Sequence, residues 1–268
     1  MMLLRVPLAQ LSAGADSLVK KLFHWSRGQF HVDNFTSMVR WLVTRRLENP
    51  PTDPDFFSSL PITPTEKRPE PIPVKEVLAE CTTMLDAGND TTQTSLTNCI
   101  YQLASHPHKQ ARLRSQLTAA LIADDLSGPV VDYAHLQHVT YLRAVLDESF
   151  RCRPPVGFGL PRRTTEPTDI AGHLIGSDVT VSAPLYNIHK DARLFTLPDD
   201  FVPERWLDAP TAAKLGVSDS YHLSFESQHE NLKDFVLPFS LGGRACIGRN
   251  LAYMELSIVI TTLILGFE

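Results

Sequence analysis

The stretch PFSLGGRACIGRNLA, residues 238–252, sets a single cysteine, Cys246, in a loop with three glycines and two arginines, directly ahead of an apolar run. Gly242, Gly243 and Gly248 permit positive φ and close approach of the backbone to a bulky, flat partner, which side chains there would hinder. Arg244 can meet an anion. The thiol stands where a following helix would begin, and the open amides and dipole of a helix N-terminus favour negative charge, hence the thiolate that binds metals. A lone cysteine is ordinarily a small buried hydrophobe. That reading leaves the glycines and the arginine together unexplained.

Around this loop the chain has an ordinary globular composition. Its 268 residues, 43% hydrophobic, suffice for one large domain or two small ones. A formal charge of −5, with no run of five or six like charges, gives no electrostatic reason to expect nucleic acid. Cys81, Cys99, Cys152 and Cys246 are widely spaced, which points to a reducing compartment and away from a disulfide framework. The first 23 residues are interrupted by Arg5, Pro7 and Asp16, so no signal peptide and no membrane anchor is expected in this chain. The run LSIVITTLILGF follows Glu255, is too short to cross a bilayer, and reads as a buried helix.

Residues 17–48 read as one or two amphipathic helices, with Met38, Val39, Leu42 and Val43 on or near one face and Arg40, Arg45 and Arg46 on a solvated one. Eight prolines between positions 49 and 74 deny that stretch helical hydrogen bonds and make it a loop. From Val74 the period turns helical and meets no proline until Pro107, predicting a helix of roughly 30 residues, about 45 Å long. Further helices are expected over HKQARLRSQLTAAL and YLRAVLDESFR, and a last one from near Cys246 toward Leu265. DIAGHLI and TVSAPLY, separated by GSD, read as the two strands of a hairpin. The fold class is mainly α with a small β portion, in three parts: a helical stretch (1–48), a proline-rich loop (49–73) and a core (74–268).

Two further motifs carry polar residues at deliberate spacing. AGNDTT, residues 87–92, interrupts the long helix with Gly88, at a cost of about 1 kcal/mol relative to alanine, and with threonines able to bond back to carbonyls one turn earlier. Such a helix can open beside a ligand, or Gly88 can simply let another helix pack close while Asp90 is solvated. Glu148 and Arg151 lie three apart on a helix and so share a face, a spacing common in surface ion pairs. Arg205 in FVPERW supplies a further cation.

The spacing F-x-x-G-x-R-x-C-x-G-x-x-x-A, met by Phe239, Gly242, Arg244, Cys246, Gly248 and Ala252, resembles the cysteine loop of the cytochrome P-450 family, the heme-thiolate monooxygenases. AGNDTT, ESFR and FVPERW match further motifs of that family in the expected order, with Trp206 where the family usually has phenylalanine. The resemblance implies a partial cytochrome P-450 fold, from the distal helix to the helix after the cysteine. It implies that Cys246 is the axial ligand of heme b iron, in a loop shaped by Phe239, Gly242 and Gly248, with Arg244 and Arg162 meeting propionates. An axial thiolate pushes electron density onto iron and favours O–O cleavage. By the same resemblance Thr91 orients dioxygen or a nearby water, and Asp90 takes part in proton delivery. Ala87, Gly88, Val156, Gly157 and Phe158 would line the substrate pocket, and Glu148, Arg151 and Arg205 would form a structural triad with bidentate geometry that locks the Cys246 loop. NIHKDARLF is similar to a supporting family segment, which gives His189 a structural role.

The expected activity is insertion of one oxygen atom from O2 into a small hydrophobic substrate, with electrons from NADPH through an NADPH-cytochrome reductase partner. The texture of residues 157–191 is similar to fungal microsomal members, implying secondary-metabolite or aromatic-compound metabolism at the cytosolic face of the endoplasmic reticulum. The match runs from about residue 72 to 267, so the resemblance implies a truncated single domain lacking much of the rim of the heme site. The alternative reading is a truncated P-450 remnant, catalytically impaired or inactive; a further one is heme binding without oxygenation.

Overall fold

The computed structural model describes residues 28–53, 55–62, 64, 69–121, 130–216 and 232–267. The chain divides into two compact units, Met1–Ala87 and Gly88–Glu268. In the first, helix α1 (Gly28–Glu48) buries Val39 and Val43, one turn apart, in a small cluster with Ile72 and Val77. Met38 and Leu42, expected on the same face, are exposed instead, because each sits about 100° around the helix from its buried neighbour and the stripe is only one residue wide. Arg46 is likewise not merely solvated. Its guanidinium grips Asp55 at 2.8 and 2.9 Å and reaches Ser58 at 3.0 Å, pinning a 3₁₀ turn (Phe57–Ser59) of the proline-rich segment. The expected helix over residues 17–27 lies outside the described residues.

Helix α2 (Val74–Ser105) has 32 residues and runs through AGNDTT without a break. Side chains bond back one turn at Thr82, Thr83, Ser95 and Thr97, on either side of the motif. A Cβ placed on Gly88 would meet no heavy atom within 4 Å among the described residues, so close helix packing there does not explain the glycine.

The second unit is built on α5 (Thr140–Cys152), between α3 (Pro107–Ala120) and the short α4 (Tyr133–Leu136) upstream and α8 (Arg249–Gly266) downstream. Nearly every residue of α5 is buried, so this helix is apolar or paired all round. Leu113 and Leu117 of α3, Cys99 and Leu103 of α2, and Tyr253, Leu256, Ile260 and Ile264 of α8 close on it. The α8 positions recur at 3, 4 and 4 residues, one face of the apolar run, while Val259 on another face is 37% exposed. The four cysteines are free thiols, and burial pushes Cys99 and Cys152 up to about 12.

Two small antiparallel ladders follow α5: β1 (Arg162–Arg163) with β4 (Thr180–Val181), and β2 (Thr168–Ile170) with β3 (His173–Ile175). The expected pairing of DIAGHLI with TVSAPLY is therefore corrected. DIAGHLI holds both strands of the inner hairpin, turning at Ala171 (φ 53°) and Gly172 (φ 84°), whose N–H donates to Asp169 Oδ1 at 3.0 Å. Positive φ at both central residues matches the twist of the flanking strands. GSD then turns the chain back, and Thr164 staples it through bonds with Gly176 and Val179. The short α6 (Leu185–His189) and α7 (Ala209–Lys214) complete the unit, which is mostly helical with a small β portion. Among the described residues, no helix is long and apolar enough to cross a membrane.

Candidate heme-thiolate site

The cysteine loop is closed by its own backbone. Cys246 N–H donates to Phe239 O at 2.8 Å, Ala245 N–H to Gly242 O at 3.0 Å, and Ser240 N–H to Leu237 O at 3.1 Å. Residues 241–247 are all exposed, the thiol of Cys246 among them. Gly242 has φ 71°, the one glycine of the motif in the left-handed region. Gly248 instead has φ −82° and caps α8, its carbonyl accepting from Ala252 N–H at 2.8 Å. The Phe239 ring faces inward and packs on Phe150 of α5 and Tyr253 of α8, each 5.2 Å away between centroids. Arg244 is exposed and, among the described residues, makes no side-chain hydrogen bond or ion pair.

Beneath the loop lies a fully buried charge cluster. Glu148 accepts from Arg151 Nε and Nη2 (both 2.9 Å), Arg205 Nε (3.0 Å), Val202 N–H (2.8 Å) and the indole N–H of Trp206 (3.0 Å). The remaining guanidinium donors reach backbone carbonyls: Arg151 those of His189, Pro198 and Asp200, and Arg205 those of Thr196 and Leu197. Glu148 and Arg151 are 0% exposed, a burial that this degree of pairing permits. The cluster fastens residues 189–206 to α5. Its connection to the cysteine loop runs through His189, whose Nε2 accepts Leu237 N–H at 3.2 Å.

Three features here escaped the sequence reading. Trp206 is a donor to Glu148, a function phenylalanine cannot serve; the indole was visible, its partner was not. Glu204, beside Arg205, anchors a second buried cluster with Lys109 and Arg112 at 2.5 Å and Tyr141 at 2.9 Å. Burial alone would raise the Glu204 pKa, but Lys109 and Tyr141 outweigh it and the net shift is downward. The i, i+3 spacing of Lys109 and Arg112 ahead of Leu113 was the available signal. Third, Asp147 accepts from Tyr253 Oη at 2.7 Å and Arg143 Nε at 3.0 Å, tying the first turns of α8 to α5.

The other candidates stand on their own elements. Asp90 and Thr91 are half-buried in the middle of α2, and Ala87 and Gly88 are exposed there. Val156, Gly157 and Phe158 form a turn, since Pro154 and Pro155 remove two backbone donors and Gly159 takes φ 74°. Phe158 is 65% exposed, and Gly157 O accepts Tyr186 N–H at 2.8 Å. Arg162 is exposed on β1, and among the described residues its side chain bonds to Pro161 O alone.

The donor set suits a macrocycle-bound metal. Among the described residues no group of three or more His, Cys, Asp or Glu could hold an ion, so Cys246 would serve as a single soft ligand to a metal otherwise coordinated by its own ring. Leu241 (65% exposed), Ile247 (85%) and Leu251 (53%) put apolar surface beside the thiol, and Arg244 adds a cation, as a flat apolar group with an anionic edge requires.

Fold and loop together set an exposed thiol on a mostly helical core. The cytochrome P450 family model matches residues 17–268, and the chain belongs to that family. The match reaches further toward the N-terminus than the motifs, taking in α1 and the proline-rich segment. Among curated relatives, cytochrome P450 monooxygenase btcC of Neocamarosporium betae is 34% identical over 87% of this chain and 44% of its own. Cytochrome P450 monooxygenase poxC of Penicillium oxalicum is 34% identical over 88% and 46%, and trichothecene C-15 hydroxylase of Fusarium sporotrichioides 30% over 84% and 42%. The chain thus spans less than half the length of these three relatives.

Proposed function

We propose that this P450 chain holds heme b through Cys246 and serves a monooxygenase reaction in which substrate R–H, O2, two electrons and two protons give R–OH and water. When bound, the heme supplies dioxygen activation, which the electron donation of an axial thiolate favours. The exposed Cys246 thiol, in a loop whose leading segment is hydrogen-bonded through His189 to the buried Glu148–Arg151–Arg205 cluster, is the observation that carries this reading.

The protein's own residues then take distinct tasks. Cys246 is the ligand, and Phe239 and Gly242 shape the loop behind it. Arg244 and Arg162 pair with the propionates. Asp90 exchanges protons and Thr91 holds the acceptor by a hydrogen bond, an acid and an alcohol on adjacent residues. Ala87, Gly88 and the 156–158 turn contact a hydrophobic substrate. The electrons come from NADPH through a reductase at the cytosolic face of the endoplasmic reticulum, and hydroxylation in secondary metabolism is the reading that the relatives' names favour. The test is the carbon-monoxide difference spectrum of the reduced, heme-loaded chain. A thiolate-type Soret band lost in Cys246→Ala supports the assignment; a histidine-type band, or one that survives the substitution, overturns it.

A further inference from the structure

His189 is 0% exposed, at the end of α6, and hydrogen-bonds to both the buried cluster and the segment that leads into the cysteine loop. Its carbonyl accepts Arg151 Nη1 at 2.9 Å, fixing its backbone to the buried cluster, while its Nε2 accepts Leu237 N–H at 3.2 Å. From Leu237 the bonds continue: Leu237 O accepts Ser240 N–H at 3.1 Å, and Phe239 O accepts Cys246 N–H at 2.8 Å. Ser240, between them, is held at φ 58°, a conformation a serine adopts only when its neighbours impose it. The cysteine backbone therefore hangs from a ladder whose first rung is an imidazole nitrogen.

We propose that His189 is the positioning residue of the cysteine loop: its unprotonated Nε2 sets the register of residues 237–246 against α5. An acceptor at Nε2 requires the proton on Nδ1. The imidazole lies against the Phe150 and Arg151 backbone at the end of α5, and among the described residues Nδ1 completes no hydrogen bond of normal geometry, so the Leu237 bond is the ring's hydrogen bond of normal geometry there. Burial, then the charge of Arg151, press the imidazole down to about 4, which keeps it neutral and able to accept. The proposal concerns where the loop stands, whatever the thiol holds, so its outcome is separate from that of the heme reading.

The test uses the full chain without added heme. In 15N-histidine-labelled protein, His189 shows an unprotonated Nε2 and a protonated Nδ1; the opposite tautomer overturns the proposal outright. In hydrogen exchange, His189→Phe, which fills the space without an acceptor, speeds the Leu237 and Cys246 amides about tenfold or more. Val145 and Leu146 in α5 stay as protected as before. His189→Gln, whose side-chain oxygen reaches the Nε2 position, restores protection at both loop amides. Equal acceleration of the α5 amides, or a Gln variant as fast as Phe, overturns the proposal.

Discussion

Glu148→Gln keeps the shape of the side chain and removes only its charge, which makes it a direct probe of the buried cluster. The carboxylate accepts five hydrogen bonds and faces two guanidiniums, and it is 0% exposed. Gln offers one oxygen and turns an N–H₂ toward donors that need an acceptor. Removing one partner of a buried ion pair costs about 3–5 kcal/mol, because the charge left behind has neither water nor counter-ion. Here two cations are left with that deficit, although the carbonyls of residues 189–200 still solvate them, so the same range applies rather than its double. The folded-to-unfolded ratio falls by about two to four orders of magnitude. Urea unfolding followed by far-UV circular dichroism reads this as a midpoint lowered by roughly 1–3 M, taking a slope near 2 kcal/mol per molar. Asp178→Asn is the control: its partner Arg163 is 68% exposed, and the loss stays within about 0.5 kcal/mol. A Glu148→Gln chain as stable as that control would refute the claim that the cluster bears the segment's stability.

Glu204 makes a pH prediction. Its folded pKa is depressed, so its contribution is present above the unfolded carboxylate value of about 4.3 and is lost as pH falls through the folded pKa. Wild type should therefore lose stability toward Glu204→Gln on acidification, seen as converging urea midpoints below pH 4; midpoints that stay parallel contradict the assignment. Gly159→Ala combines φ 74° with a Cβ placed 1.9 Å from Ala183 O, and should lower the melting temperature far more than Gly172→Ala, where φ is 84° but the space is open. In the heme-free chain without denaturant a thiol reagent should label Cys246 rapidly and leave Cys99 and Cys152 untouched, as mass spectrometry of the peptides would show; fast labelling of Cys152 would contradict its burial.

What could be read from the sequence divides along a physical line. Helices with a long apolar period or a proline stop, such as α2 and α5, were legible to within a residue or two, because local pattern and burial agree there. At the cysteine loop, the positive φ of Gly242 and the helix that follows were legible from the glycines and the apolar run. The hairpin was misassigned because GSD and AG are both turn signals, and only the two-residue length of Ala171–Gly172 with φ positive at both decides between them. Partners were the hardest part. Glu148 could be paired with Arg151 by helical spacing, but Trp206, Val202 and His189 reach their partners across 38 to 58 residues of chain, where no local period exists to read.

The placement of the exposed loop follows from what flanks it. Residues 241–247 are all exposed, and a segment with no buried residue is poorly held in place by its own packing. The rings on either side do more: Phe239 and Tyr253 both pack on Phe150, at 5.2 and 5.6 Å, and on each other at 5.2 Å. The two ends of the loop thus meet on one buried α5 residue, two positions from Glu148. Phe150→Ala should cost about 3–5 kcal/mol as a core truncation. The sharper expectation is coupling: Phe150→Leu and Tyr253→Leu together should be less damaging than the sum of the two by about 0.5–1.5 kcal/mol, the worth of an aromatic pair, in a double-mutant cycle of urea unfolding. Strict additivity would mean that the rings merely share a core, and that the loop's base is held by hydrogen bonds such as Asp147–Tyr253 and His189–Leu237 rather than by ring stacking.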